Sequence, residues 1–90
     1  MRILILNPPD PPQHHGYIYP RKKLHATVLT AARTIRLARD RSILDNESAT
    51  NPGGLVITDL TGTVELEWEG DLWLHGITAN AGTTFVELDI

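Results

Sequence analysis

Between Val64 and Glu69 the chain reads Val-Glu-Leu-Glu-Trp-Glu, a strict alternation of apolar and acidic residues. Successive side chains of an extended strand project to opposite faces, so Val64, Leu66 and Trp68 share one side and the carboxylates the other. A helix would spread the same residues around its circumference and leave no uniform face to bury. Leu55 to Thr58, Leu72 to Gly76 and Thr83 to Leu88 are further strand-like runs, separated by glycine-bearing turns. With Glu69-Gly70-Asp71 as a three-residue hairpin loop, Trp68 faces Leu72 and Leu66 faces Leu74. Pairing Leu72 with Val86 and Leu74 with Thr84 continues that apolar face through the last strand. The expected core face is therefore Val64, Leu66, Trp68, Leu72, Leu74, Val86 and Leu88. The opposite face carries Glu65, Glu67, Trp73, His75, Phe85 and Glu87, with Trp73 and Phe85 as cross-strand neighbours.

Residues 7–20 contain five of the six prolines. Proline fixes φ and lacks an N–H donor, which excludes this stretch from a helix or a central strand. An extended, partly polyproline arm is the expectation, with Tyr17, Ile18 and Tyr19 as apolar anchors for another surface. Residues 21–45 fit two readings. Leu24, Val28, Ala31, Ile35 and Ala38 fall on one helical stripe, whereas β-branched Thr27, Val28, Thr30, Thr34 and Ile35 favour two short strands near 25–30 and 33–38. Asn46 to Gly54 has the composition of a loop. The expected fold is all-β: a small antiparallel β-sandwich over residues 21–90 with an extended proline-rich N-terminal arm over residues 1–20. The alternative is α+β with one helix within residues 21–40.

All eight Lys and Arg residues precede position 42, where they meet only Asp10 and Asp40, a balance of +6. The residues after Arg41 carry nine acids and no Lys or Arg, so the net charge of −3 hides two halves of opposite sign. Such halves attract, within one chain or between neighbouring copies. A chain of 90 residues without cysteine makes one domain. It buries only about 60–65% of its unfolded surface and has no disulfide to supplement a thin core. Partner surfaces often share the burden of stability at this size. The apolar run Ile3 to Leu6 stops at Asn7-Pro8-Pro9, too short for a signal peptide or a membrane span, which predicts a soluble protein without a membrane partner.

Few residues are arranged for chemistry. His14 and His15 are adjacent on the arm, but two imidazoles without a third or fourth ligand do not specify a metal site. They read as a solvated or contact-making pair, and neither metal nor cofactor is expected. His25 and His75 have no recognisable partner in sequence. Ser42 and Ser48 lack a Gly-x-Ser-x-Gly setting, and no Lys follows Gly53-Gly54 to make a phosphate cradle. An acid/base carboxylate pair needs one desolvated member, whereas the Glu65, Glu67, Glu69 row has the pattern of a solvated or partner-facing strand. The chain is expected not to be an enzyme. Arg33, Arg36, Arg39 and Arg41 with Arg21-Lys22-Lys23 raise a second function, a nucleic-acid-associated module using the Arg21–Arg41 cluster. The acidic remainder repels the same polyanion within a Debye length, about 8–10 Å, which favours charge matching to protein. The acidic-aromatic second face is either covered by a sheet from residues 24–60 or receives a basic segment, with Arg stacked on Trp73. Tyr17, Tyr19, Arg33, Arg36, Arg39, Trp73 and Phe85 are the candidate partner-binding residues.

Met1-Arg2-Ile3-Leu4-Ile5-Leu6-Asn7-Pro8-Pro9 resembles the opening strand of cobalamin-binding domains in radical-SAM enzymes. The Asp-x-His-x-x-Gly and cysteine-cluster motifs are both missing, so no cofactor is carried over. The segment from Arg33 to Ile90 resembles the small β-sandwich proteins of tailed-bacteriophage virions. A Thr-rich first strand and an Asn/Ser-rich turn carry the likeness, together with Trp68-Glu69-Gly70-Asp71-Leu72-Trp73-Leu74-His75-Gly76-Ile77 and then Ala81-Gly82-Thr83-Thr84-Phe85-Val86-Glu87-Leu88. The proline-rich arm and residues 21–32 lie outside it. The resemblance implies a non-enzymatic structural protein of a virion, a capsid decoration or cement subunit or a head–tail-associated one. Its partners would be itself and major capsid or tail proteins, with no catalytic residues to carry over; without the resemblance, a cytoplasmic location is expected.

Overall fold

The computed structural model describes residues 2–7, 10–45, 54–77 and 82–90. Its strands are β1 (Arg2–Leu6), β2 (Gln13–Val28), β3 (Thr34–Ala38), β4 (Leu55–Thr58), β5 (Val64–Gly76) and β6 (Thr84–Asp89). A short helix α1 (Arg41–Asp45) follows β3, and a 3-10 turn (Asp59–Thr61) follows β4. Every neighbouring pair is antiparallel, and one continuous sheet holds the strands in the order β1-β6-β2-β5-β3-β4. The all-β class that the alternation predicts is the class observed.

The sheet bends because its two long strands are shared between its ends. The first half of β2 pairs with the second half of β5, which also carries β3; the second half of β2 pairs with the first half of β5 and with β6. From Ile18↔Gly70 to Lys22↔Trp68, β2 advances four residues while β5 advances two. Extra residues in one strand of an antiparallel pair bend it and increase its twist. Gly70 sits at this irregularity with φ 104, a backbone state that L side chains rarely adopt. The bend folds the inner face onto one core, in which Leu24, Ile35, Leu72, Leu74 and Val86 are fully buried.

Residues 1–20 are not an arm apart from the domain. β1 lies on β6 with Leu4 and Leu6 in the core, and residues 13–20 belong to β2, where Ile18 is buried. The chain is extended there, as the prolines require, but it is incorporated. Pro11 and Pro12 precede β2, and Pro20 falls inside the register shift, where no ladder donor is needed. Pro8 and Pro9 lie outside the described residues. Residues 21–40 contain no helix; β2 continues to Val28 and β3 spans 34–38, close to the two strands expected. The expected loop is described only at Gly54, since residues 46–53 lie outside the described residues.

The hairpin expected at Glu69–Asp71 does not form. β5 runs straight through it, because β2 is long enough to pair along nearly its whole length. Leu72 therefore does not face Val86, nor Leu74 Thr84; β6 pairs with β1 and β2 instead. Trp73 faces His14 and Ala38, and Phe85 faces Ile5, so these two aromatics are not neighbours. The expected core face nevertheless survives, every member being buried or half-buried.

Asp40 starts α1. Its Oδ1 accepts the backbone N–H and the hydroxyl of Ser42, each at 3.0 Å, which satisfies a helix-end donor and holds the Asp40 carboxyl below the usual carboxylate range. The backbone hydrogen bond is the larger cause. The helix lies over the outer face of β3 and buries Leu44. Gly54, at φ 80, lets the chain enter β4 beneath it, since a Cβ there would stand 2.7 Å from the Leu37 carbonyl oxygen.

Candidate interaction surface

The charge partition is resolved largely across one strand pair. β2 supplies Arg21, Lys23 and His25, and β5 supplies Glu67 and Glu65 directly beside them. Arg21 lies 3.4 Å from Glu67, Lys23 3.4 Å from Glu65, and His25 3.2 Å from Glu65. The hydrogen bond from His25 and then that from Lys23 hold the Glu65 carboxyl below its ordinary range. These pairs are solvent-exposed, so each adds little alone; together they fix the register of basic strand against acidic strand.

Two arginines stack on the two tryptophans. The Arg39 guanidinium lies 4.2 Å from the centroid of Trp68 and donates to the backbone carbonyls of Glu67 and Glu69 at 3.2 and 3.1 Å. Arg41 lies 5.9 Å from the centroid of Trp73 and 3.3 Å from Asp45. On its other side Trp73 meets the His14 ring, with centroids 4.6 Å apart, and His14 reaches Asp71 at 2.9 Å. The basic segment anticipated on the acidic-aromatic face thus comes from the same chain. His14 is a contact-making residue; His15 bonds Gln13 at 3.1 Å. Burial first, then the positive charge of Arg2 and of His14, pushes the His15 imidazole below its ordinary value.

The candidate residues do not converge. Tyr17 and Tyr19 are exposed on the outward side of β2. Arg36 is not a surface cation. It is wholly buried between β3 and α1, donating to the Leu44 carbonyl and to His75 Nδ1, both at 2.8 Å. Arginine only donates, so His75 Nδ1 accepts and that imidazole carries its proton on Nε2. The sequence holds no sign of this pair beyond Arg36 and His75 each being placed on a strand face opposite core residues. Arg33 is half-buried, its Nε without a hydrogen-bond partner among the described residues and its guanidinium 3.2 Å from where a Cβ of Gly82 would sit. Arg39 and Trp73 are engaged within the chain, and Phe85 is exposed on β6.

Two surfaces missed by sequence reasoning emerge. An open groove of about 400 Å³ runs between β4 and the first half of β5, lined by Leu37, Ile43, Leu55, Leu66 and Trp68 and flanked by Arg39 and Glu67. On the opposite end of the sheet, the outward residues Ile3, Ile5 and Phe85 form an uncovered apolar patch on β1 and β6, with Ile5 and Phe85 directly paired. The run Ile3 to Leu6 was the available signal for the second. Among the described residues, no group of three or more His, Asp or Glu side chains converges as a metal site, and no helix is long and apolar enough to cross a membrane. No family model, no curated protein and no solved structure matches the chain.

Proposed function

We propose that this chain is a non-enzymatic assembly subunit, of the kind that decorates a capsid or joins head to tail in a virion-like particle, acting through the surface of β1 and β6. One observation carries this reading. Ile3 and Ile5 are each 51% exposed and Phe85 is 42% exposed, side by side at an outer strand of the sheet. Folded proteins blunt such edges with lysines, prolines or inward charges, and β1 offers only Arg2. A contiguous apolar patch at a strand edge is the signature of a surface that another chain covers. The virion setting rests on the resemblance of residues 33–90, and the partners would be further copies and shell proteins.

The nucleic-acid reading is weakened, because Arg36 is buried and Arg21, Lys23 and Arg41 have carboxylates within 4 Å. Sedimentation velocity over a concentration series, run beside a gel shift with duplex and single-stranded DNA, tests the choice. The expected result is reversible self-association and no shift at near-physiological salt. A chain that stays monomeric at every concentration and retards DNA overturns the assembly reading.

A further inference from the structure

We propose that copies of this chain join head to tail by edge-strand addition, β1 of one copy pairing antiparallel with β4 of the next. The register sets Ile3 against Thr58, Ile5 against Val56 and Arg2 against Asp59. The inference rests on the reading of the chain as an assembly subunit and names the partner and the surfaces.

β1 and β4 are the two outer strands of the sheet, so among the described residues each has one side without a hydrogen-bonded strand. In an antiparallel ladder alternate residues turn their N–H and C=O towards the same neighbour. The Ile5 carbonyl accepts a hydrogen bond from Gln13 Nε2 at 3.1 Å, which shows that Ile5, and Ile3 with it, turns its backbone away from β6. On β4 the Asp59 N–H donates to the Arg33 carbonyl, so residues 55, 57 and 59 turn towards β3. Val56 and Thr58 then turn to the free side, and Thr58 N–H donates there to Thr61 Oγ1 at 3.3 Å. Side chains thus stand in at both edges for a missing strand.

The outward-turned backbones match outward-facing side chains. Ile3, Ile5 and Val56 are exposed, whereas Leu4, Leu6 and Ile57 are buried. Setting 3 against 58 and 5 against 56 joins the free hydrogen-bonding groups and keeps both faces continuous. Leu4 then lies beside Ile57, and Leu6 beside Leu55, which is 40% exposed in the single chain. A slip of one residue would oppose core-facing to solvent-facing side chains and misalign the bonds. Charge fixes the remaining choice. β1 brings one cation, Arg2, and no acid; β4 and the turn after it bring one acid, Asp59, and no cation. Slips of two residues, or pairing of β1 with β1, lose the match of Arg2 to Asp59. The join is heterologous, so it closes into a ring if the rotation permits and otherwise extends.

The cysteine-free chain gives a clean test by disulfide trapping. Ile5→Cys and Val56→Cys are made as separate single variants at exposed positions, and circular dichroism checks that each is folded. Opposed residues of a hydrogen-bonded pair lie about 5.5 Å apart at Cα, within disulfide reach. Under mild oxidant the equimolar mixture should form a covalent dimer, and neither variant alone should do so. A dimer from Ile5→Cys alone, or from Val56→Cys alone, overturns the head-to-tail join. Self-association of the wild-type chain without the mixed cross-link overturns this register but leaves the assembly reading standing. A wild-type chain that is monomeric at all concentrations removes both.

Discussion

On β3 the outward residue Arg36 is wholly buried, whereas on β6 the outward residue Phe85 is 42% exposed. Solvation alone would place them the other way round, since guanidinium is costly to desolvate and a phenyl ring is costly to expose. The difference lies in what the chain does beside each strand. After β3, Asp40 caps a single helical turn that returns over the sheet, placing Leu44 above Arg36 and His75 and Arg41 beside Trp73. No described segment returns over β1 and β6. The covered face spends its polar groups on internal hydrogen bonds, while the open face keeps apolar surface for another chain.

Trp68→Ala sets the scale, because Trp68 belongs to the inner core that both regions share. Its removal should cost about 3–5 kcal/mol in denaturant unfolding, losing a buried ring, the Arg39 contact and the Nε1–H bond to the Asp71 carbonyl. Leu44→Ala attacks the covered face and should cost about 2–4 kcal/mol, with α1 released from β3 in amide exchange. A cost no larger than that of a surface substitution would mean that α1 does not hold this face. Phe85→Ser attacks the open face and should change unfolding free energy by only about 0.5 kcal/mol while weakening self-association. If it unfolds the isolated chain instead, the two faces are not different in kind.

The smallest effect concerns pH. His15 titrates below its ordinary value of 6.5 in the folded chain, so between that value and its folded one the unfolded state binds more protons. Its contribution to stability is therefore complete above pH 6.5 and is lost as pH falls through the lowered folded value. Melting temperatures should fall across this window in the wild type and fall less in His15→Gln. Equal slopes would remove His15 from the account.

Strand content and core membership were legible because alternation reports which face a residue takes. Pairing was less so, and Gly70 shows why. A three-residue loop and an uninterrupted strand both leave Trp68 and Leu72 on one side, so the same pattern fits a hairpin and the observed β5. Prolines mark where a ladder donor is absent, but a bulge can supply such a place inside a strand, and Pro20 occupies one. Tyr17 and Tyr19, expected on an extended stretch, do lie on extended chain and are exposed there. The burial of Arg36 was not legible, because it depends on α1, and no local pattern announces that five residues will fold back over β3.

The pairing of β1 with β6 has a consequence in time. Arg2 sits opposite Leu88, so the partner of β1 is synthesised only after all the other strands of the sheet. Until then Ile3 to Leu6 lacks the strand it pairs with, and a contact between positions so distant carries a high loop-closure cost. The same strand thus waits for β6 to be placed, yet is available to a neighbouring chain before that. In a crowded translation site, folding of one copy and capture by another would compete for it, and the outcome would depend on how many copies emerge together.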